Sequence, residues 1–156
     1  MNQKPPFVLT IHAIILVKVG GYMKEKATNY YKQGFSCSES VIMASIDEGL
    51  CDKNLLAVAG AFSGGMSSGC LCGAVAGSQM VIGSNFGKNN SYGNQESARA
   101  KAKEFLDEFK KNHKAACCRV LTAGLEFGSP ERKQNCTSLV GECAEILEKM
   151  VGEKVC

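Results

Sequence analysis

The chain has 156 residues, a formal net charge of +3, no tryptophan and only three prolines, with hydrophobic residues at 45%. This composition excludes a disordered or low-complexity protein, and the length suffices for one domain that buries a core without covalent staples. Nine cysteines therefore exceed any structural need. The lysines between Lys101 and Lys114 alternate with Glu104, Asp107 and Glu108, as on a solvated helix face. No aromatic or arginine-rich stripe accompanies them, so nucleic acid is not expected as a partner.

In chain order, Phe7 to Val19 (FVLTIHAIILVKV) is apolar but interrupted by His12 and Lys18, too short for a transmembrane helix. The residues after it do not read as a small-residue cleavage site. Residues 1–22 are thus expected to be an extension, followed by a single helical domain over 23–156. A cytoplasmic location, with reduced thiols, is favoured over export or a membrane. Lys24 to Lys32 reads as a helix stopped by Gly34. Ser36 to Glu48 reads as a second, opening with Ser36 and Glu39 in capping-box spacing. Asn54 to Phe62 reads as a short third, ended by Gly64 and Gly65. Ser67 or Ser68 is expected to cap a fourth helix that passes through Gly69 and Cys72 to about Ile82. Asn94 to His113 is the longest, with Ala98, Ala102, Phe105 and Phe109 at helical spacing. After the turn-rich FGSPERKQN, a last helix places Cys136, Leu139, Val140, Cys143, Leu147, Met150 and Val151 on one stripe. No alternating run of β-formers appears. The expected fold class is all-α, a compact bundle of about five to six helices with glycine-rich close packing.

On that scaffold the cysteines gather at helix starts. Cys37 follows the cap Ser36 and Cys136 follows Asn135, while Cys70 and Cys72 fall in the first turn of the fourth helix. Free N–H groups and the macrodipole there favour a thiolate, as a nucleophile or as a metal ligand. Gly69, Gly73 and Gly77 would line one face of the fourth helix, where another backbone or an inorganic group can come close. The same small-residue stripe equally suits a homodimer contact. The segment contains no phosphate-binding loop signature.

The pieces GFSCSES, CGAVAG at Cys72–Gly77, CCRVL at Cys117–Leu121 and NCTSLV at Asn135–Val140 together resemble the redox-active protein family named for its C, GCAxxG, C, C cysteine pattern. That family is similar to the iron–sulfur-associated part of split-Soret cytochromes. Position by position, the resemblance implies functional cysteines at Cys37, Cys72, Cys118 and Cys136. Arg119 favours Cys118 over Cys117, because the family reads Cys-Arg. The chain adds Cys51, Cys70, Cys117, Cys143 and Cys156. Cys143 and Cys51 read as structural, Cys156 as an exposed terminal thiol, and His113 as a polar-face residue. Cys70 and Cys117 remain candidates for an additional ligand or a resolving thiol. With no C-x-x-C-H motif, covalent haem is not implied.

Three functions follow as expectations. The first is an iron–sulfur cluster held by Cys37, Cys72, Cys118 and Cys136 that transfers electrons to a redox partner. The second is thiol–disulfide exchange through a non-local pair or the C-x-C of Cys70 and Cys72. The third is a structural zinc site, disfavoured because the four cysteines are dispersed rather than grouped in paired knuckles. No carboxylate pair or general base points to a particular enzymatic reaction.

Overall fold

The computed structural model describes residues 21–88 and 95–152; the apolar run at 7–19 and Cys156 lie outside them. The described residues form α1 (Tyr22–Lys32), α2 (Cys37–Asp47), α3 (Leu55–Ala59), α4 (Gly73–Phe86), α5 (Glu96–Asn112), α6 (Cys118–Leu121) and α7 (Pro130–Gly152). The fold is all-α, as expected. Among the described residues the only β pairing is an isolated antiparallel bridge between Leu71 and Cys117.

Each element follows from local chemistry. Met23 and Ala27 are fully buried on α1, and Tyr31, a further turn along, continues that stripe. At α2 the capping box forms: the Glu39 amide donates to Ser36 Oγ and the Ser36 amide to the Glu39 carboxylate at 2.8 Å. On α5, Phe105 and Phe109 are fully buried, while the lysine-rich face forms ion pairs such as Lys101–Glu104 at 2.8 Å. Long α7 packs along α1 and also touches α2, α4 and α5. Its expected stripe is buried from Leu139 through Val151.

Two helix starts differ from the sequence reading. The fourth helix begins at Gly73, not at Ser67 or Ser68, because the chain from Gly64 to Ser67 turns the other way. Gly64, Gly65, Met66 and Ser67 have φ of 58°, 62°, 57° and 53° in succession. Gly69 (φ 73°) lies in the same stretch, so it does not share a helix face with Gly73 and Gly77. The last helix begins at Pro130, leaving Cys136 inside it rather than at its first position. Ser129 is its cap: Ser129 Oγ accepts from the Arg132 amide at 3.1 Å. Serine followed by proline and glutamate is a strong helix-start signal.

Close approach sets the arrangement of α2 and α4. A Cβ on Gly77 would stand 2.8 Å from the Ser38 carbonyl oxygen and 3.3 Å from Ser38 Cα. Helix α4 is buried on most of its surface from Gly73 to Ile82, as expected for a central helix. The buried serines create no polar debt: Ser38 Oγ donates to the Ala59 carbonyl (2.8 Å), Ser45 to Val41 (2.8 Å) and Ser78 to Ala74 (3.0 Å). Gly83, by contrast, has open space where a Cβ would be.

These two glycines of one helix should respond oppositely to alanine. Gly77→Ala is expected to destabilise by about 1–3 kcal/mol through overpacking. Gly83→Ala is expected to stabilise by up to about 1 kcal/mol through helix propensity. Urea unfolding followed by circular dichroism reads both; equal shifts would show that the α2–α4 contact is not tight.

Candidate functional site

Cys37, Cys72, Cys118 and Cys136 come from the start of α2, the residue before α4, the start of α6 and the second turn of α7. All four line one cavity of about 520 Å³. The sequence-predicted Gly69 and Gly73 line it as well, while Gly77 lies deeper, at the α2–α4 contact. A Cβ on Gly73 would collide with the Cys37 sulfur and stand 2.9 Å from the Phe62 carbonyl oxygen. Glycine at 73 therefore makes room for the Cys37 thiol.

The other cysteines lie elsewhere. Cys70 is exposed, and Cys117 donates its thiol to the Gly69 carbonyl at 3.1 Å; neither lines the cavity. Both belong to the bridge that closes one wall, where the Cys72 amide donates to the Ala116 carbonyl at 2.8 Å and the Cys118 amide to the Cys70 carbonyl. Cys143 is fully buried in the core and Cys51 is half-buried past the end of α2. His113 is part-buried, stacked on Phe109 and paired with Glu142 at 2.6 Å, outside the cavity. No disulfide forms among the described residues.

Burial, not helix starts, governs Cys72, Cys118 and Cys136. Desolvation pushes Cys72 up to about 12, against the pull of the Val75 and Ala74 amides at the start of α4. Desolvation likewise raises Cys118 and Cys136, and adjacent Cys37 adds to both. Thus the expectation of acidic thiols at helix starts is overturned at Cys72 and Cys136, because an apolar enclosure penalises the thiolate more than nearby dipoles and donors favour it. Two groups oppose burial. Tyr31, on the same cavity wall, draws the Cys136 thiol down, and the Arg132 guanidinium does the same for Cys118 and Cys136. Tyr31 itself is held well above the ordinary phenol range, first by burial and then by Cys136.

Sequence reasoning missed Tyr31 and Arg132. Arg132 is the cavity's single cation, and no carboxylate lines the cavity among the described residues. Its Nη1 donates to the Leu125 carbonyl at 3.2 Å, and its guanidinium lies over the Phe127 ring, 5.2 Å from the centroid. Phe127 stands at the cavity wall and is 84% exposed. The signal for Arg132 is its place one turn before Cys136, legible only if the helix starts at Pro130. The signal for Tyr31 is its place at the end of the Met23–Ala27 stripe.

An all-α protein with four thiols walling one cavity belongs among candidate redox or metal proteins. The family described as "Putative redox-active protein (C_GCAxxG_C_C)" matches residues 35–150, and the chain belongs to that family. No curated protein and no solved structure matches it. At the second motif the chain reads Cys72-Gly73-Ala74, with cysteine and glycine exchanged relative to the order in the family's name. The geometry accounts for this order here, since a side chain at 73 would occupy the space of the Cys37 sulfur.

The thiols should differ in reactivity in the metal-free protein. With iodoacetamide at pH 8, exposed Cys70 is expected to be alkylated first, and Cys72 and Cys143 last, since both stay protonated and enclosed. Labelling of Cys72 should accelerate only as pH rises toward about 12. Peptide mass spectrometry over time checks the order; early loss of the Cys72 thiol would contradict its burial.

Proposed function

We propose that this redox-family protein holds an iron–sulfur cluster through Cys37, Cys72, Cys118 and Cys136 and exchanges single electrons with a partner protein. The observation that carries the reading is that four thiols from four separate elements wall one cavity. Thiolates are the ligands such clusters take, and dispersed cysteines are compatible with that chemistry. When bound, the cluster supplies the one-electron couple.

The chain's own residues fit that group. The cavity offers four sulfurs, one arginine and no carboxylate, so a bound anionic centre meets a cation and no competing acid. Gly73 keeps side-chain bulk away from the Cys37 sulfur. Burial of Cys72 and Cys118, 5% and 7% exposed, keeps water from two of the ligand positions. Because the buried thiols are protonated in the metal-free protein, loading must displace protons.

Single-ion zinc fits less well. Among the described residues no three His, Cys, Asp or Glu side chains are grouped as around one metal ion, and the four cysteines lack the paired spacing usual for zinc. The thiol–disulfide reading has one observation in its favour: exposed Cys70 lies across the Leu71–Cys117 bridge from Cys118. A partner could reach that thiol without opening the cavity. Among the described residues no helix is long and apolar enough to cross a membrane.

Anaerobically purified protein is expected to be brown, with iron and acid-labile sulfide in comparable amounts. Cys72→Ser should lose both the visible absorbance and most of the iron, while Cys51→Ser retains them with unchanged circular dichroism. Colourless protein with about one zinc per chain would establish the structural alternative. Colourless, metal-free protein that loses two thiols on mild oxidation would establish the exchange alternative.

A further inference from the structure

Apart from Ser67, the polar side chains of the cavity wall fall into two groups. Ser36, Ser63 and Thr122 are committed to backbone: Ser36 Oγ accepts from the Glu39 amide, Ser63 donates to the Gly60 carbonyl at 3.4 Å, and Thr122 donates to the Cys118 carbonyl at 2.8 Å. Tyr31 and Arg132 are different. Arg132 is held on three sides, by its amide's bond to Ser129, its Nη1 bond to the Leu125 carbonyl, and the Phe127 ring under its guanidinium. It forms no ion pair among the described residues, in a surface otherwise rich in Lys–Glu pairs. A guanidinium has five N–H donors, and the bond to Leu125 leaves the others available to the cavity. Tyr31 sits on the buried stripe of α1, fixed by the packing of that helix along α7.

We infer that Tyr31 and Arg132, which line the same cavity as the four thiols, are positioning residues for the redox group, directing their donors toward its sulfurs and thereby raising its reduction potential. This inference rests on the cluster reading above. The electron comes from an external one-electron donor and resides on the thiolate-held cluster; no covalent bond forms or breaks, and no proton leaves either residue. Reduction adds negative charge that spreads onto the sulfurs. A fixed donor or cation at those sulfurs stabilises the reduced form more than the oxidised one, and hydrogen bonds to sulfur and net charge are known determinants of cluster potential.

The test uses the full chain and its Tyr31→Phe, Arg132→Gln and Arg132→Lys variants, each reconstituted anaerobically with ferrous iron and sulfide and titrated with dithionite against redox dyes. Expected are equal iron and sulfide contents throughout. Arg132→Gln and Tyr31→Phe should each lower the equilibrium constant for reduction about tenfold, which is 59 mV for a one-electron couple. Arg132→Lys should fall between Arg132→Gln and the unmodified chain, since it keeps the charge and loses the fork. Fully loaded variants with unchanged potentials overturn the inference and leave the cluster reading intact. Loss of iron from Arg132→Gln alone overturns the assignment for Arg132 in favour of an assembly role, and the Tyr31→Phe potential then decides the other half. An unmodified chain that takes up neither iron nor sulfide overturns the cluster reading and this inference together.

Discussion

Helices α2 and α4 meet backbone to backbone, and the cavity exists because they do. At Gly77 the Ser38 carbonyl leaves no room for a methyl group, and one turn earlier, at Gly73, the Cys37 sulfur occupies that space. Both contacts are steric and exact only a glycine. The register between the two helices thereby brings Cys37, first in α2, beside Cys72, just before α4. Helix α7 then closes the opposite side with Cys136 and Arg132, and α1 contributes Tyr31.

Enclosure explains the chemistry of the wall better than helix polarity does. A helix N-terminus contributes typically 0.3–1 kcal/mol at an exposed site, whereas withdrawing a thiolate from water can raise its pKa by several units. In this protein Cys72 has both influences, and burial prevails. The thiols are therefore suited to a partner that supplies its own positive charge, such as a metal, more than to unaided nucleophilic attack.

Much of this was legible in the order of residues. The all-α class, the Ser36–Glu39 capping box, the buried stripes of α5 and α7, and the four segments that carry Cys37, Cys72, Cys118 and Cys136 could be read from periodicity, caps and motif resemblance. What could not be read traces to two helix starts. Counting glycines at four-residue spacing put Gly69 on α4, although the chain reverses its hand over Gly64–Ser67. Treating Pro130 as part of a loop cut α7 short, and with it went the i, i+4 relation that sets Arg132 one turn from Cys136. Four-residue α6 escaped notice because so short a helix carries no periodicity of its own.

The reversed turn and α6 hold one another. A left-handed backbone costs roughly 1–2 kcal/mol per non-glycine residue, and Met66 and Ser67 both adopt it. Four helical residues, in turn, are far below the length at which a helix persists alone. Gly65 lies against Cys118 Cβ, Gly69 lies against Arg119, and Arg119 reaches back to the Ser68 carbonyl at 2.9 Å. The thiol of Cys118 thus rests on a clasp of two halves from distant parts of the chain, each shaped only while the other is fastened, so this rim is where the vessel would come undone before its floor.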